Sequence, residues 1–343
     1  MRRIDLVVDF MGERDCVRGV ADSDVYRRDT HGAITMLGAM PPNGILADTI
    51  ACVTETLGRD LDRVEIERAV LGLFYTGVKL TAGTAGTCAT PREAIPGDVC
   101  CPVSARAVPF PGALKGRPAA EVMRDALSPD ALRRAVGIAT LNALAELCWP
   151  RRPNADIELL PGADAFDATD FSAEDRVVVV GAFVPFLKEL KRHRQPFLVL
   201  EQNPAMLKPE EMPFYRPAET AREVVPEADV LLVTGATLLN DTLEDLLAWA
   251  RPEARVTVVG PTVGMVPDAF LARGADILGS VRIKDPDAFL DLLAEGGSAP
   301  HFLGRTAEKI VLARRAYSAM SSASNGSQPG IRSLRRSAAA ASS

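Results

Sequence analysis

Three of the six cysteines lie in one glycine- and proline-rich stretch, "TCATPREAIPGDVCCP". Eleven residues separate Cys88 from the adjacent pair Cys100 and Cys101. This spacing differs from the two C-x-x-C pairs of a zinc knuckle, and neighbouring side chains diverge too much to share one tetrahedral ion easily. Cys88 with one cysteine of the pair, helped by Asp98 or another residue, could bind a soft transition metal. The alternative is buried structural thiols, because free cysteine is among the most buried residue types.

A second candidate site immediately precedes these cysteines. Gly83 and Gly86 lie in the threonine-rich segment "TAGTAGTCAT", whose backbone donors could cradle an anion. Tyr75 and Lys79 come before it on a predicted strand, and their even spacing places both on one face. The four residues are a predicted anion-binding loop. The alternative is a surface lysine beside a core aromatic side chain.

A third group of candidates follows the apolar runs in the second half of the chain. In an open α/β sheet, ligands bind outside the carboxyl ends of the parallel strands. Glycine at such an end lets a ligand approach the backbone, and the next helix N-terminus favours an anionic group. The predicted ligand-binding residues are Gly181, Phe183, Glu201, Asn203, Thr234, Gly235, Thr237, Asn240, Gly260 and Pro261.

Glu201 is the feature that most suggests a nucleotide-type ligand. It comes 20 residues after Gly181, where a dinucleotide-binding fold has its ribose-binding acid. However, "GAFVPFL" is not a G-x-G-x-x-G motif, and Phe183 and Pro185 would crowd a pyrophosphate. S-adenosylmethionine or NAD binding is therefore one interpretation, and local turn and capping roles are the other. Asn240 and Asp241 are predicted first as helix caps.

The sequence contains no Ser-His-Asp order, H-E-x-x-H motif or P-loop. Its three histidines, His31, His193 and His301, are scattered, and none has the surroundings expected of a general base. No catalytic residue is predicted.

The elements that must position these residues change in character near Arg176. The runs "RVVVVG", "PFLVLEQ", "ADVLLVTG" and "ARVTVVGP", with the weaker "ADILGS", alternate with amphipathic segments such as "VPFLKELKRHR" and "DPDAFLDLLAEGG". Strands that are apolar on both faces and alternate with helices indicate a parallel sheet covered on both sides. We therefore predict an α/β protein with a Rossmann-like, doubly wound domain.

The preceding part of the chain has a mixed α+β pattern. Apolar spacing predicts a helix from Asn43 to Leu57. The segment "VEIERAVLGLFYTGVKLTA" predicts one or two strands with a turn near Thr76 and Gly77. Ser128 as cap and Pro129 in the first turn predict a helix reaching Trp149. That helix is apolar nearly all round, so we expect it to be buried.

These patterns divide the chain into three predicted parts. They are an α+β domain at 1–150, a Rossmann-like domain at 151–320 and a disordered tail at 321–343. The proline-rich segment "CWPRRPNADIELLPGAD" is the expected junction.

Composition limits the classes of partner. The net charge of −6 argues against nucleic acid, because a backbone binder needs concentrated Lys and Arg. No segment reaches the roughly 18 apolar residues of a membrane span, and the acidic N-terminal segment is unlike a secretory signal. We therefore expect a cytoplasmic protein with reduced thiols. A homodimer is the base-rate expectation for its assembly.

Several segments resemble one known family. They are "FYTGVKLTAGTAGTCATP", "VCCP", "GIATLNAL", "VVGAFVPFLKELK", "LVLEQNP", "PEADVLLVTGATLLNDTLEDLL" and "VVGPTVGMVPDAFLARGADILGS". Together they resemble the two-domain heavy-metal chelation family, over about Asn43 to Gly297 and most strongly over Arg176 to Ser280.

The resemblance implies an enolase N-terminal-like α+β domain, a Rossmann-like domain and a cleft between them. It implies binding of a metal or a metal-chelating small molecule, with a link to metal-cofactor biosynthesis. The second domain has also been compared with the fold of PLP-dependent transferases. No lysine stands at an obvious strand end there, so PLP is not predicted. The alternative function is a transferase or lyase that acts on a small anionic metabolite with a nucleotide-type ligand.

Overall fold

The structure is a computed structural model that describes residues 26–28, 34–36, 44–95, 111–152 and 157–314. The chain separates into two compact units, Met1–Pro42 and Asn43–Ser343. Within the first, β1 (Tyr26–Arg28) and β2 (Ile34–Met36) pair antiparallel. All features below belong to the second unit. None of the helices in the described ranges has the length and apolar character required to cross a membrane.

Residues 44–95 and 111–148 form a small α+β layer. Its antiparallel sheet has the order β3-β4-β5, with a glycine-containing turn between the first two strands. The longest helix of the layer, α3 (Ala131–Cys148), is buried along nearly its whole length, which confirms the expectation from its apolar sequence. The elements are α1 (Gly44–Leu57), β3 (Ile66–Leu71), β4 (Tyr75–Leu80), β5 (Ala85–Ala89), α2 (Ala119–Val122) and α3 (Ala131–Cys148).

The described residues 157–314 contain an eight-stranded sheet. Its order is β6-β13-β12-β11-β10-β7-β8-β9. The six strands from β12 to β9 are mutually parallel, whereas β13 pairs antiparallel with β12 and β6. The strands are β6 (Ile157–Pro161), β7 (Val177–Val180), β8 (Phe197–Glu201), β9 (Tyr215–Pro217), β10 (Val230–Thr234), β11 (Arg255–Val259), β12 (Ile277–Ile283) and β13 (Ala307–Arg314).

Both faces of this sheet are covered. Alternate strand residues such as Val177 and Val179 pack with Phe186 and Leu190 of one helix. The intervening strand residues, such as Val178, point to the opposite face and belong to a core shared with the α+β layer. The helices are α4 (Ala165–Ala168), α5 (Val184–Arg192), α6 (Ala221–Val224), α7 (Leu243–Trp249), α8 (Asp268–Leu271), α9 (Pro286–Ala294) and α10 (Ala299–Phe302). The predicted α/β class with a parallel sheet is confirmed.

The structure corrects the predicted position of the first hairpin turn. The chain turns at residues 72–74, where the Gly72 amide donates to the Tyr75 carbonyl over 3.0 Å. Thr76 and Gly77 instead lie inside β4. A Cβ on Gly77 would come within 2.7 Å of Leu290 and Leu293, so this glycine permits close packing of α9 rather than a turn.

Helix starts and edge strands account for the other corrections. Helix α3 is capped by Asp130, whose side chain accepts the Arg133 amide, whereas Ser128 accepts the Asp130 amide one step earlier. Asn240 and Asp241 precede the α7 cap, Thr242, and Asp241 instead forms an ion pair with Arg134. Strands β6, β9 and β13 were not predicted, and β6 lies inside the predicted junction. The predicted tail lies outside the described residues.

Two glycines of the β4–β5 hairpin differ in how closely other atoms pack against them. Gly86 faces α3, and a Cβ there would lie 2.3 Å from both the Ala139 carbonyl oxygen and the Ala143 amide. Both neighbours are backbone atoms of α3, which cannot shift without disturbing the helix. We therefore predict that Gly86→Ala lowers the free energy of unfolding by about 3 kcal/mol or more. Gly83 has φ +84° and open space around it, so Gly83→Ala should cost only about 1 kcal/mol. Urea denaturation of both variants measures the difference, and equal losses would contradict this packing.

Candidate functional site

The predicted strand-end residues lie along one edge of the large sheet. Strands β8, β7, β10 and β11 are parallel neighbours, so Glu201, Gly181, Thr234 and Gly260 follow one another along their carboxyl ends. The order in which strands are added reverses between β7 and β10, which is where such sheets usually bind ligands. Here that crevice is narrow. Gly181 has φ +88°, and a Cβ on it would lie 2.7 Å from Thr234 Cγ2.

Most polar groups at this edge are engaged by their own loops. Glu201 accepts the Ala182 amide through Oε2 at 2.7 Å and the Asn203 amide through Oε1 at 2.9 Å. Its carboxylate therefore lies over the loop where a pyrophosphate would bind. Other local hydrogen bonds run from the Ala205 amide to Asn203, from Thr237 to the Thr234 carbonyl, and from Thr242 to Asn240. Gly235 packs against Val263.

The end of β11 is fastened to the α+β layer by buried polar contacts. The Asn142 amide on α3 donates to the Thr87 carbonyl at 2.6 Å, the Thr262 carbonyl at 3.0 Å and the Pro261 carbonyl at 3.3 Å. The Ala89 amide of β5 donates to Thr262 Oγ1 at 3.1 Å. Gly260, with φ +137°, directs the chain from the strand into this turn.

A cleft of about 580 Å³ opens beside this junction. One side is Tyr75 of β4, and the other is formed by the loops and strands of the large sheet. Of the predicted residues, Tyr75, Phe183, Gly260 and Pro261 line it. Its remaining lining residues include Phe166, Phe186, Val259, Ser280, Val281 and Leu303, together with the charged side chains Asp164, Asp167, Lys188, Glu189, Arg192 and Lys309.

The charged groups of the cleft differ in how they are paired. Asp164 forms an ion pair with Lys309, and Glu189 forms one with Arg192. Asp167 and Lys188 form no ion pair within the described residues. Partial burial, followed by the nearby Asp164 and Glu189 carboxylates, raises the pKa of Asp167. None of these six groups was predicted as a site residue, although the sequence "GADAF" indicates the capping position of Asp164 before α4.

The four residues of the predicted anion loop are separated in the structure. Lys79 donates to Glu67 at 2.8 Å and to Asp287 at 2.9 Å, and these hydrogen bonds raise its pKa. Gly83 lies at the hairpin tip, whereas Gly86 is pressed against α3. Tyr75 alone reaches the cleft, where its ring meets Phe302 edge-on at 5.4 Å and burial raises its pKa.

Cys88 lies in the core rather than at the cleft. Its side chain is fully buried, and burial raises the pKa of the thiol to about 12 despite a hydrogen bond with Thr262. Cys100, Cys101 and Asp98 lie outside the described residues. Within the part of the chain that the structure describes, no three His, Cys, Asp or Glu side chains come together to hold a metal ion.

The burial of Cys88 predicts a loss of stability in alkali. An unfolded thiol ionises near pH 9, whereas Cys88 in the folded protein stays protonated until about pH 12. The contribution of Cys88 to the free energy of unfolding is therefore complete below pH 9. It falls by up to about 1.4 kcal/mol per pH unit as pH rises from 9 to 12.

We predict that Cys88→Ala has a shallower alkaline slope than the wild type in urea denaturation at pH 8 to 11. Cys148, whose pKa is also raised to about 12, contributes equally to both proteins. Identical slopes would show that Cys88 ionises normally.

Comparison with known proteins identifies the family of this chain. Residues 54–145 and 164–312 match two family models, DUF4213 and DUF364, that are both described as "Putative heavy-metal chelation". The chain belongs to this family. A protein of Methanocaldococcus jannaschii named as uncharacterised is 28% identical over 187 residues, which cover 54% of this chain and 68% of the relative.

Two solved structures share the fold. Both come from proteins of the DUF364 family that are described as having unknown function, and both are 18% identical to this chain. The Pyrococcus horikoshii protein matches with a TM-score of 0.61 over 78% of this chain and 98% of its own. The Desulfitobacterium hafniense protein matches with a TM-score of 0.57 over 78% of this chain and 97% of its own. At this identity the likeness concerns the fold alone.

Proposed function

We propose that the protein binds a metal-chelating small molecule, alone or as its metal complex, in the cleft between the α+β layer and the large sheet. The observation that carries the proposal is the composition of that cleft. Its walls are largely apolar and aromatic, and four of its six charged side chains are paired with one another. This is the usual character of a small-molecule site, with a few polar groups fixing orientation. The family's description supplies the link to metals.

A chelated metal fits the cleft better than a bare ion. A bare transition metal requires several nitrogen, sulfur or carboxylate ligands from the protein. The described residues bring no three such side chains together, and Cys88 would have to lose a proton held with a pKa of about 12. A chelator supplies those donor atoms itself. The protein then needs only to contact the organic part and balance its charge.

Asp167 and Lys188 are the side chains best placed for charge balance. Both line the cleft, and neither is paired within the described residues. Asp167 can complement a cationic metal complex or complete its coordination, whereas Lys188 can pair with a carboxylate of the chelator. Such binding suits a protein that carries a chelated metal during cofactor assembly.

Titration with Ni²⁺ alone and with Ni²⁺–2,2′-bipyridine tests this proposal. We expect isothermal titration calorimetry to show at least about tenfold tighter binding of the complex, because its aromatic rings bury apolar surface against Phe183 and Phe186. Asp167→Asn should weaken binding of the complex by about threefold or more, because it removes an unpaired carboxylate that faces the cation. Asp245→Asn, an exposed carboxylate on α7, is the matched control and should bind like the wild type.

Two results would contradict the proposal. One is equal binding of free Ni²⁺ and the complex, with both lost in a variant that carries Cys88→Ser, Cys100→Ser and Cys101→Ser. That result would assign the metal to the cysteines. The other is an identical effect of Asp167→Asn and Asp245→Asn, which would place the complex outside the cleft.

A further inference from the structure

The hydroxyl group of Tyr75 is the polar group that the α+β layer brings to the cleft. Among the described residues that line the cleft, Tyr75 alone belongs to this layer. Its hydroxyl forms no hydrogen bond with another described residue, and burial is the only cause of its raised pKa. The side chain is half-buried, and its Oη is not one of the polar atoms sealed inside the protein. A molecule in the cleft can therefore provide the partner of this hydroxyl.

The pleat of β4 directs the Tyr75 side chain toward α9 and α10. Gly77, two residues later on the strand, faces α9, because a Cβ on it would lie 2.6 Å from Leu290 Cδ2. Residues two apart on a strand share one face, so Tyr75 points to the same side. On that side Ala299 of α10 and the adjacent Leu303 line the cleft together with Tyr75.

Aromatic contacts hold the ring of Tyr75 in one orientation. It meets the ring of Phe302 edge-on at 5.4 Å, with an angle of 79° between the two planes. Phe302 is fully buried and meets Phe289 edge-on at 5.1 Å. Strand β4, which carries Tyr75, is paired with β3 on one side and with β5 on the other. The hydroxyl is thus held in place before a ligand binds, which lowers the entropic cost of ordering it.

The Tyr75 hydroxyl is suited to hydrogen-bond donation rather than to metal ligation. Burial raises the pKa of Tyr75 above its ordinary value of 10.0, so the phenol keeps its proton at neutral pH. A protonated phenol offers one O–H donor, and a charged oxygen is the strongest acceptor for it. Ligation to a metal would instead require the phenolate, which burial disfavours.

We propose that Tyr75 is a specificity-determining residue whose hydroxyl donates a hydrogen bond to a carboxylate or carbonyl oxygen of the molecule bound in the cleft. The inference rests on the proposed function in placing the ligand in the cleft. It adds that this ligand presents an oxygen acceptor to the α+β layer, while Lys188 and Asp167 meet its charges from the side of the large sheet. Chelators that carry oxygen acceptors are thereby favoured over those built from hydrocarbon and ring nitrogen alone.

Benzoate and nitrobenzene test this contact without any metal. The two molecules have nearly the same shape, but a carboxylate oxygen accepts hydrogen bonds far more strongly than a nitro oxygen. We expect Tyr75→Phe to weaken benzoate binding by about tenfold or more in a titration followed by ligand NMR, because the variant keeps the ring and removes only the donor. Nitrobenzene binding should change by less than about threefold. In a crystal soaked with benzoate, a carboxylate oxygen should lie within hydrogen-bond distance of Tyr75 Oη.

Tyr215→Phe is the matched control. Tyr215 lies on the edge strand β9 and does not line the cleft, so benzoate should bind to this variant as it does to the wild type. The charged side chains of the cleft, such as Lys188, act on benzoate equally in all three proteins, so the comparison isolates the Tyr75 hydroxyl. Tyr75→Phe breaks no hydrogen bond between described residues, and urea denaturation checks that both variants remain folded.

Three results would overturn the inference. They are no binding of benzoate to the wild type, an equal effect of Tyr75→Phe and Tyr215→Phe on benzoate, and an equal loss of benzoate and nitrobenzene binding in Tyr75→Phe. The last would show that Tyr75 acts through packing alone.

These outcomes are separable from the test with Ni²⁺–2,2′-bipyridine, whose rings carry no oxygen acceptor. A protein that binds benzoate through Tyr75 but ignores the nickel complex keeps the recognition role of Tyr75 and loses the metal function. A protein that binds the nickel complex, but binds benzoate equally well with and without the Tyr75 hydroxyl, keeps only the metal function.

Discussion

The side-chain amide of Asn142 joins three segments that are distant in sequence. It contacts the Thr87 carbonyl of β5 and the Pro261 and Thr262 carbonyls at the end of β11, and it projects from α3. Because these groups are buried, each carbonyl must be paired inside the protein. The amide therefore fixes the distance between the α+β layer and the large sheet, and with it the width of the cleft beside them. Partly exposed ion pairs between the two layers, such as Arg282 with Glu146, stabilise the same junction.

This junction explains why the cleft lies away from the usual ligand position of a parallel sheet. At the reversal between β7 and β10, Gly181 and Thr234 approach closely, and the Glu201 carboxylate occupies the adjoining loop. Beyond β11 the edge opens again, because Gly260 turns the chain toward the α+β layer. The open volume is displaced toward β11 and β12, where Tyr75 of the other layer can reach it. A ligand bound in this cleft would therefore contact both parts of the unit.

The sequence predicted most of the parallel sheet and only part of the site. Consecutive valines and leucines identify β7, β8, β10 and β11, because only strands buried on both faces tolerate such runs. Strands β6 and β13 were missed because edge and antiparallel pairing is set by tertiary contacts rather than by local pattern.

Site residues could be predicted from the sequence where their role depends on local structure, and not where it depends on contacts made by folding. Gly260, Pro261, Phe183 and Tyr75 were identified because strand ends and strand faces are local properties. Asn142 was overlooked because it lies in an apolar helix, where its role depends on carbonyls brought there by folding. Asp167 and Lys188 were overlooked for a similar reason, since their distinction from other surface charges is the lack of a partner within the described residues.

The thiol of Cys88 illustrates how the same physical environment can favour one role and oppose another. Full burial supplies packing and raises the thiol pKa to about 12, which opposes the thiolate that a soft metal requires. The hydrogen bond from Thr262 lowers the pKa only in part, and that threonine already accepts from the Ala89 amide. Cys88 is thus held in the junction that Asn142 secures, while the cleft presents carboxylates, basic side chains and aromatic walls. The proposed chelated metal would bring its own nitrogen or oxygen ligands into the cleft and so avoid the cost of deprotonating a buried thiol.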